Sequence, residues 1–174
     1  MVRILSDFVL KSRFKKKLKS LTSVPKLNSK EIKSIVILVS GNYEAKEHLF
    51  IDFAKAFKVP TRNITIVVFN KNKIPLKDNS LGHRIDCSKE MIDFWGNLPK
   101  KFNALFKKEV DLLINYFDDN SILPSYVSVF CKAKLRVGFS STQFALNDLI
   151  INVNPLDTDL FLFESSKYLK SILK

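Results

Sequence analysis

The sequence predicts an α/β fold, with a mostly parallel sheet of about five to six strands between helical layers and a basic helix ahead of the body. Three observations predict it. The first is the stretch Val110 to Ser140, VDLLINYFDDNSILPSYVSVFCKAKLRVGFS. Val110 to Phe117 is a nearly unbroken apolar run closed by Asp118, Asp119 and Asn120, the pattern of a strand buried on both faces that ends in a polar turn. Ile122, Tyr126, Val129 and Phe130 then recur at helical spacing, and Leu135 to Phe139 is a second short run with Gly138 near its exit. Strand, crossover and strand in this order form a βαβ unit, which is parallel and right-handed. The second observation is that the same alternation occurs earlier, from Ser34 to Phe69. The third is material for a core: 46% of the 174 residues are apolar and 15 are Phe, which argues against disorder and suits one domain. Residues 34–174 therefore read as a single three-layer, Rossmann-like domain.

Residues 1–33 stand apart as a basic amphipathic helix and a linker. Ten Lys or Arg against two acids give residues 1–34 a net charge of +8 out of the chain's +12. Leu10, Phe14, Leu18 and Leu21 fall on one helical stripe, with Lys15, Lys16, Lys17 and Lys19 spread around the rest. Thr22, Ser23 and Pro25 end the helix. Such a helix can dock its apolar stripe on the domain and solvate its lysines, bind nucleic-acid phosphates with release of counterions, or lie on an anionic membrane surface.

In the body, Ser34 to Ser40 (SIVILVS) reads as a buried strand and Gly41 with Asn42 as its turn. Ala45, Leu49, Phe50, Phe53, Ala54 and Phe57 mark a helix from Glu44 to Phe57, with Glu44 and Glu47 at the positive end of its dipole. Pro60 stops it, and Asn63 to Phe69 (NITIVVF) is the second strand. Asn70 to Gly82 is a Lys-rich exposed loop, and His83 to Cys87 a short strand. Trp95 beside Phe94 offers a base-stacking platform, but in a Phe-rich chain the expectation is a plug that closes the core. A helix starts near Pro99 with Phe102, Leu105 and Phe106 inward. After the βαβ unit, Asn147 to Val153 is the final strand. Asp157 to Leu173 is the closing helix, with Leu160, Phe161, Phe163, Tyr168, Leu169 and Ile172 as its apolar positions.

Motifs for chemistry are few. Cys87 and Cys131 have no CxxC spacing and form no metal-ligand pattern with His48 and His83, so two reduced, part-buried thiols and no metal are expected. No run of apolar residues is long enough to span a membrane, and no secretory signal is evident, which makes cytoplasm the expected location. Asp118 and Asp119 adjoin at a strand exit, where catalytic acids occur, but adjacent acids on a turn diverge and suit the capping of the next helix. Ser140 and Ser141 have no base beside them in a nucleophile motif. Ser40, Gly41, Asn42, Asp118 and Ser140 lie beyond strand ends, where open α/β sheets hold ligands. A single Gly there, with neither GxGxxG nor GxxxxGK[ST], argues against a dinucleotide or triphosphate cofactor. No catalytic residue is assigned.

DLLINY (Asp111 to Tyr116), AKLRVGFSS (Ala133 to Ser141), NDLIIN (Asn147 to Asn152) and the basic N-terminal helix resemble a family of short bacterial proteins of unknown function. AKLRVGF is also similar to a piece of the N-terminal Rossmann-like domain of heptosyltransferase-type glycosyltransferases. Those enzymes use a second such domain to bind the nucleotide sugar. That resemblance implies a half-enzyme that keeps the scaffold without the chemistry, or a reduced nucleotide-sugar-binding protein. The leading expectation is a non-enzymatic protein that contacts RNA, including ribosomal RNA and ribosomal proteins, with Lys11, Arg13, Lys15, Lys16, Lys17 and Lys19 on the phosphates. A peripheral membrane adaptor is the further alternative.

Overall fold

Strands form where the chain carries β-branched runs that a sheet can bury on both faces. The computed structural model describes residues 2–21, 31–40, 47–69, 83–93, 95–118, 122–142 and 144–173. Along the chain lie α1 (Val2–Leu18), β1 (Ile35–Ser40), α2 (Glu47–Ala56), β2 (Ile64–Phe69), β3 (His83–Cys87) and α3 (Lys101–Lys107). They are followed by β4 (Val110–Tyr116), α4 (Ile122–Phe130), β5 (Ala133–Phe139), β6 (Leu149–Ile151) and α5 (Thr158–Ile172). The six strands form one sheet in the order β3-β2-β1-β4-β5-β6, and every pairing is parallel. This is the Rossmann-type order, which reverses direction between β1 and β4.

Right-handed crossovers decide which face each helix covers. The chain steps one way from β1 to β2 and the other way from β3 to β4 and from β4 to β5, so α2 falls on one face and α3 and α4 on the other. On the first face Ile35, Ile37 and Val39 of β1 pack with Phe50, Phe53 and Ala54 of α2 and with Phe161, Leu162 and Leu169 of α5. On the second, Val36 and Leu38 meet Phe102 and Leu105 of α3 and Leu123, Tyr126, Val127 and Val129 of α4. Leu10 and Phe14 of α1 join that second core. Burial on both faces is why the central strands read as continuous apolar runs.

Two expectations fail. Trp95 is 67% exposed and lies outside the core. In α5 only Phe161 and Leu169 of the expected positions are buried, together with Thr158, Leu162 and Ser165; Leu160, Phe163, Tyr168 and Ile172 face solvent. The helix is apolar on more than one side, and the sheet selects the stripe. The final strand is also shorter than its apolar run. Before it, Asp148 folds back on β5: its carboxylate accepts from Arg136 N at 2.8 Å and its N–H donates to Arg136 O at 2.9 Å. The loop Asn70 to Gly82, the turn Gly41 and Asn42, Phe94 and the caps expected of Asp119 and Asn120 lie outside the described residues.

A buried carboxylate ties the start of the sheet together. Asp111 of β4 accepts from Lys33 N at 2.8 Å, Ser34 N at 3.1 Å, Ser34 Oγ at 3.2 Å and Lys134 Nζ at 2.7 Å. Burial pushes its pKa up, but the hydrogen bonds from Lys134, Lys33 and Ser34 and the Lys134 charge outweigh burial and hold it below the usual carboxylate value. A depressed carboxyl stabilises fully above its unfolded-state pKa, and that contribution is lost as pH falls through the lower folded one. Asp111→Asn is expected to cost about 1–3 kcal/mol at pH 7, with the deficit shrinking below about pH 4. Urea midpoints across pH check this, and equal midpoints for the two proteins at pH 7 would contradict it.

Candidate nucleic-acid interface

The basic helix is held in place by its apolar side. Leu10 and Phe14 are 0% and 5% exposed, and Leu18 and Leu21 pack at the edge of the same core. Ser20 N and Ser20 Oγ both donate to Lys17 O, at 3.0 and 2.7 Å, and end the helix. Lys15, Lys16 and Lys17 occupy the last turn, the negative end of the helix dipole. Asp7 of the same helix forms an ion pair with Lys89 at 2.5 Å. On the same flank Arg13 Nη1 donates to Asn97 Oδ1 at 3.2 Å.

Docked in this way, α1 turns Lys11, Arg13, Lys15, Lys16, Lys17 and Lys19 to solvent together. Among the described residues the five lysines make no ion pair, so their charge is directed outward, while Arg13 also braces the turn that carries Asn97. The spacing of Leu10, Phe14 and Leu18 anticipated this face; the anchors Lys89 and Asn97 carried no sequence signal.

A second candidate site lies where the strand order reverses. Ser40 ends β1, buried, and Asp118 follows the neighbouring β4, half-exposed. Ser140 follows β5, one strand further on, and its Oγ donates to Asn152 Oδ1 at 2.9 Å. The structure thus brings Ser40 and Asp118 to adjacent strand ends and ties Ser140 toward the edge of the sheet, while Gly41 and Asn42 lie outside the described residues.

Beside them is a polar set that sequence reasoning missed. Asn115, fully buried, donates through Nδ2 to Asn147 Oδ1 at 2.8 Å. Asn147 Nδ2 donates to Thr142 Oγ1 at 2.6 Å, and Thr142 Oγ1 donates to Phe139 O at 2.6 Å. Asn147 crosses over Gly138, where a Cβ would stand 2.5 Å from its Nδ2, so β5 carries glycine at that point. The signals were present in an Asn interrupting DLLINY and a Gly in AKLRVGF.

These amides and hydroxyls hold the carboxyl ends of β4 and β5 in register. They are neutral and hydrogen-bonded to each other, which suits a structural clamp better than proton transfer. Cys87 and Cys131 are free and more fully buried than the part-buried thiols expected; burial pushes both up to about 12, so they stay protonated at neutral pH. Among the described residues no group of three His, Cys, Asp or Glu side chains could hold a metal ion, and no helix is long and apolar enough to cross a membrane.

Fold and surface together define a Rossmann-like α/β protein with a cationic helix built into one of its helical layers. The chain belongs to a family described as a family of unknown function (DUF6913), matched over residues 7–172. No curated protein matches the chain and no solved structure does. The heptosyltransferase resemblance gains no support from these comparisons, while the resemblance to a family of short proteins of unknown function is borne out.

Proposed function

We propose that the protein is a non-enzymatic RNA-binding accessory protein, ribosome-associated, that grips the phosphate backbone through Lys11, Arg13, Lys15, Lys16, Lys17 and Lys19. The observation that carries this reading is the burial of the helix's apolar stripe. A helix lying in a membrane surface sinks that stripe into the lipid boundary. Here Leu10 and Phe14 are already spent on the protein core, which leaves a rigid face of cations and favours a polyanion that binds by charge. Phosphate contacts of this kind give affinity with little sequence preference.

The test is RNA binding across a salt series. Six cations on single-stranded RNA give a slope of log K against log salt of about −4. Lys15→Glu, Lys16→Glu and Lys17→Glu together are expected to weaken binding about tenfold to hundredfold and to flatten the slope. All three side chains are exposed, so the variant should keep the circular dichroism of the parent. A folded variant that binds RNA as tightly as the parent at low salt would remove the proposal.

A further inference from the structure

α5 buries one side against the sheet and leaves a second apolar side uncovered. Leu160, Glu164, Tyr168 and Ile172 recur at every fourth position along it, and Leu156, just ahead of the helix, extends the row. Positions four apart form one ridge of a helix surface. Leu156, Leu160, Tyr168 and Ile172 are exposed, and Phe163 beside the row is 65% exposed. Lys167 lies 5.8 Å over the Tyr168 ring and 3.6 Å from Glu164, both contacts within the helix, and Tyr168 stays 47% exposed. Single exposed apolar residues are ordinary, but a contiguous apolar ridge rimmed by charges marks a surface that meets another. The neighbouring helix of the same layer carries no such ridge: α2 turns His48, Asp52 and Lys55 to solvent.

The charges around the ridge indicate what covers it. Asp157, Asp159 and Glu164 stand in the first half of the segment, and Lys167 and Lys170 in the second. A partner of one sign would be drawn to one half and repelled by the other. A second copy of α5, running antiparallel, sets acids against lysines at both ends. A two-fold axis between the copies reverses the ends of the helix while keeping each flank on its own side. Asp159 and Lys170, both exposed, lie about three turns apart on the same flank. Each Asp159 therefore meets the second copy's Lys170, and the two helix dipoles run head to tail. Net charge permits the approach: three acids and two lysines leave this segment at −1 in a chain of net +12. The cationic helix α1 belongs to the layer on the opposite side of the sheet.

We propose that the protein self-associates through α5 as an antiparallel two-fold dimer, with Leu160, Phe163, Tyr168 and Ile172 at its centre and Asp159 paired with Lys170 at its flanks. A ridge of positions four apart interdigitates with its like when the helix axes cross at about 50°, the commonest packing of helices. One helix face per copy is a small interface beside the roughly 800 Å² per partner of a standard one. The dimer is accordingly a weak one, forming at micromolar concentration and above. It does not depend on the RNA-binding reading, since α1 takes no part in it, and it leaves the cationic faces of both copies directed outward.

Sedimentation equilibrium of the full-length protein, free of RNA, tests this over a concentration range of roughly a hundredfold around the micromolar level. The average mass is expected to rise from that of one chain toward that of two. Leu160→Ser with Phe163→Ser should weaken association about tenfold or more. Both side chains are exposed, so this variant should keep the circular dichroism of the parent. Asp159→Lys and Lys170→Glu should each weaken association at low salt, where exposed charges are least screened. An equal mixture of the two should regain it, because both lysines of one copy then face acids of the other. A mass of one chain at every concentration, or a dimer that the serine variant forms as readily as the parent, overturns the proposal. Charge variants that weaken association but do not recover on mixing overturn the antiparallel arrangement. A protein that stays monomeric yet floats with neutral phospholipid vesicles, and loses that property in the serine variant, gives the face to lipid and overturns the dimer.

Discussion

Phe14→Ala is expected to destabilise the protein by about 3–5 kcal/mol, although Phe14 sits in the most highly charged segment of the chain. Its ring is 5% exposed and belongs to the same core as Leu38 of β1 and Tyr126 and Val127 of α4. Removing it costs the transfer of the ring and leaves a cavity between α1 and its layer that the rigid sheet cannot collapse to fill. Opposing this, the lysines of the helix repel one another, and releasing α1 would relieve some of that repulsion. In physiological salt the Debye length is only about 8 Å, so the relief is worth a fraction of the core loss. With a urea m-value of about 2 kcal/mol/M, the midpoint should fall by about 2 M. Lys16→Ala, on the opposite side of the helix, should stay within about 0.5 kcal/mol of the parent. An unchanged midpoint for Phe14→Ala would mean that α1 lies outside the cooperative unit, and the rigid cationic face would lose its basis.

The contrast between Phe14 and Trp95 shows what a sequence can and cannot reveal here. Phe14 was legible because its partners on the helical stripe, Leu10 and Leu18, are its neighbours in the chain. The strands were legible for a similar reason: Ile35 to Val39 and Leu112 to Ile114 are covered on both faces, so their apolar runs are unbroken. Whether Trp95 points in or out depends on Tyr126 and Arg13, residues remote in sequence that fix its turn. The closing helix was ambiguous for another reason, since Leu160 and Phe163 satisfy a helical period as well as Phe161 and Leu169 do. Only the position of the sheet distinguishes the two stripes. At the switch point, Ser40 and Asp118 could be placed because strand ends are visible as ends of runs. The amide clamp of Asn115 and Asn147 could not, because it needs the crossing over Gly138 that pairing of β4 with β5 creates.

Arg136→Met is expected to cost about 1–3 kcal/mol, although it replaces a buried charge with an apolar side chain of similar length. Arg136 is 6% exposed and points from β5 beneath the end of α4. Its Nη1 donates to Ser128 O at 2.9 Å and its Nη2 donates to Cys131 O at 2.5 Å. The guanidinium thus satisfies two carbonyls at the C-terminal end of a helix, where a cation also meets the negative end of the dipole. Burial lowers the pKa of this group, which records the cost of holding the charge there. Methionine removes that cost, and in many proteins an apolar substitute for a buried ion is neutral or better. Here the Cys131 carbonyl remains with no donor in place of the guanidinium, at about 1–3 kcal/mol, while the Ser128 carbonyl keeps the bond from Cys131 N at 3.1 Å. One orphaned acceptor, a second left with a single bond and the lost cation at the helix end outweigh the relief of one desolvated charge. Arg136→Ala should lose more than Arg136→Met, because a cavity is added to the same loss. Arg136→Lys should fall near Arg136→Met, since one ammonium cannot reproduce the planar fork that spans both carbonyls. Denaturant midpoints for the three variants order these effects. A methionine variant as stable as the parent would mean that the burial cost cancels the cap, and that Arg136 specifies the packing of α4 on the sheet without adding to its stability.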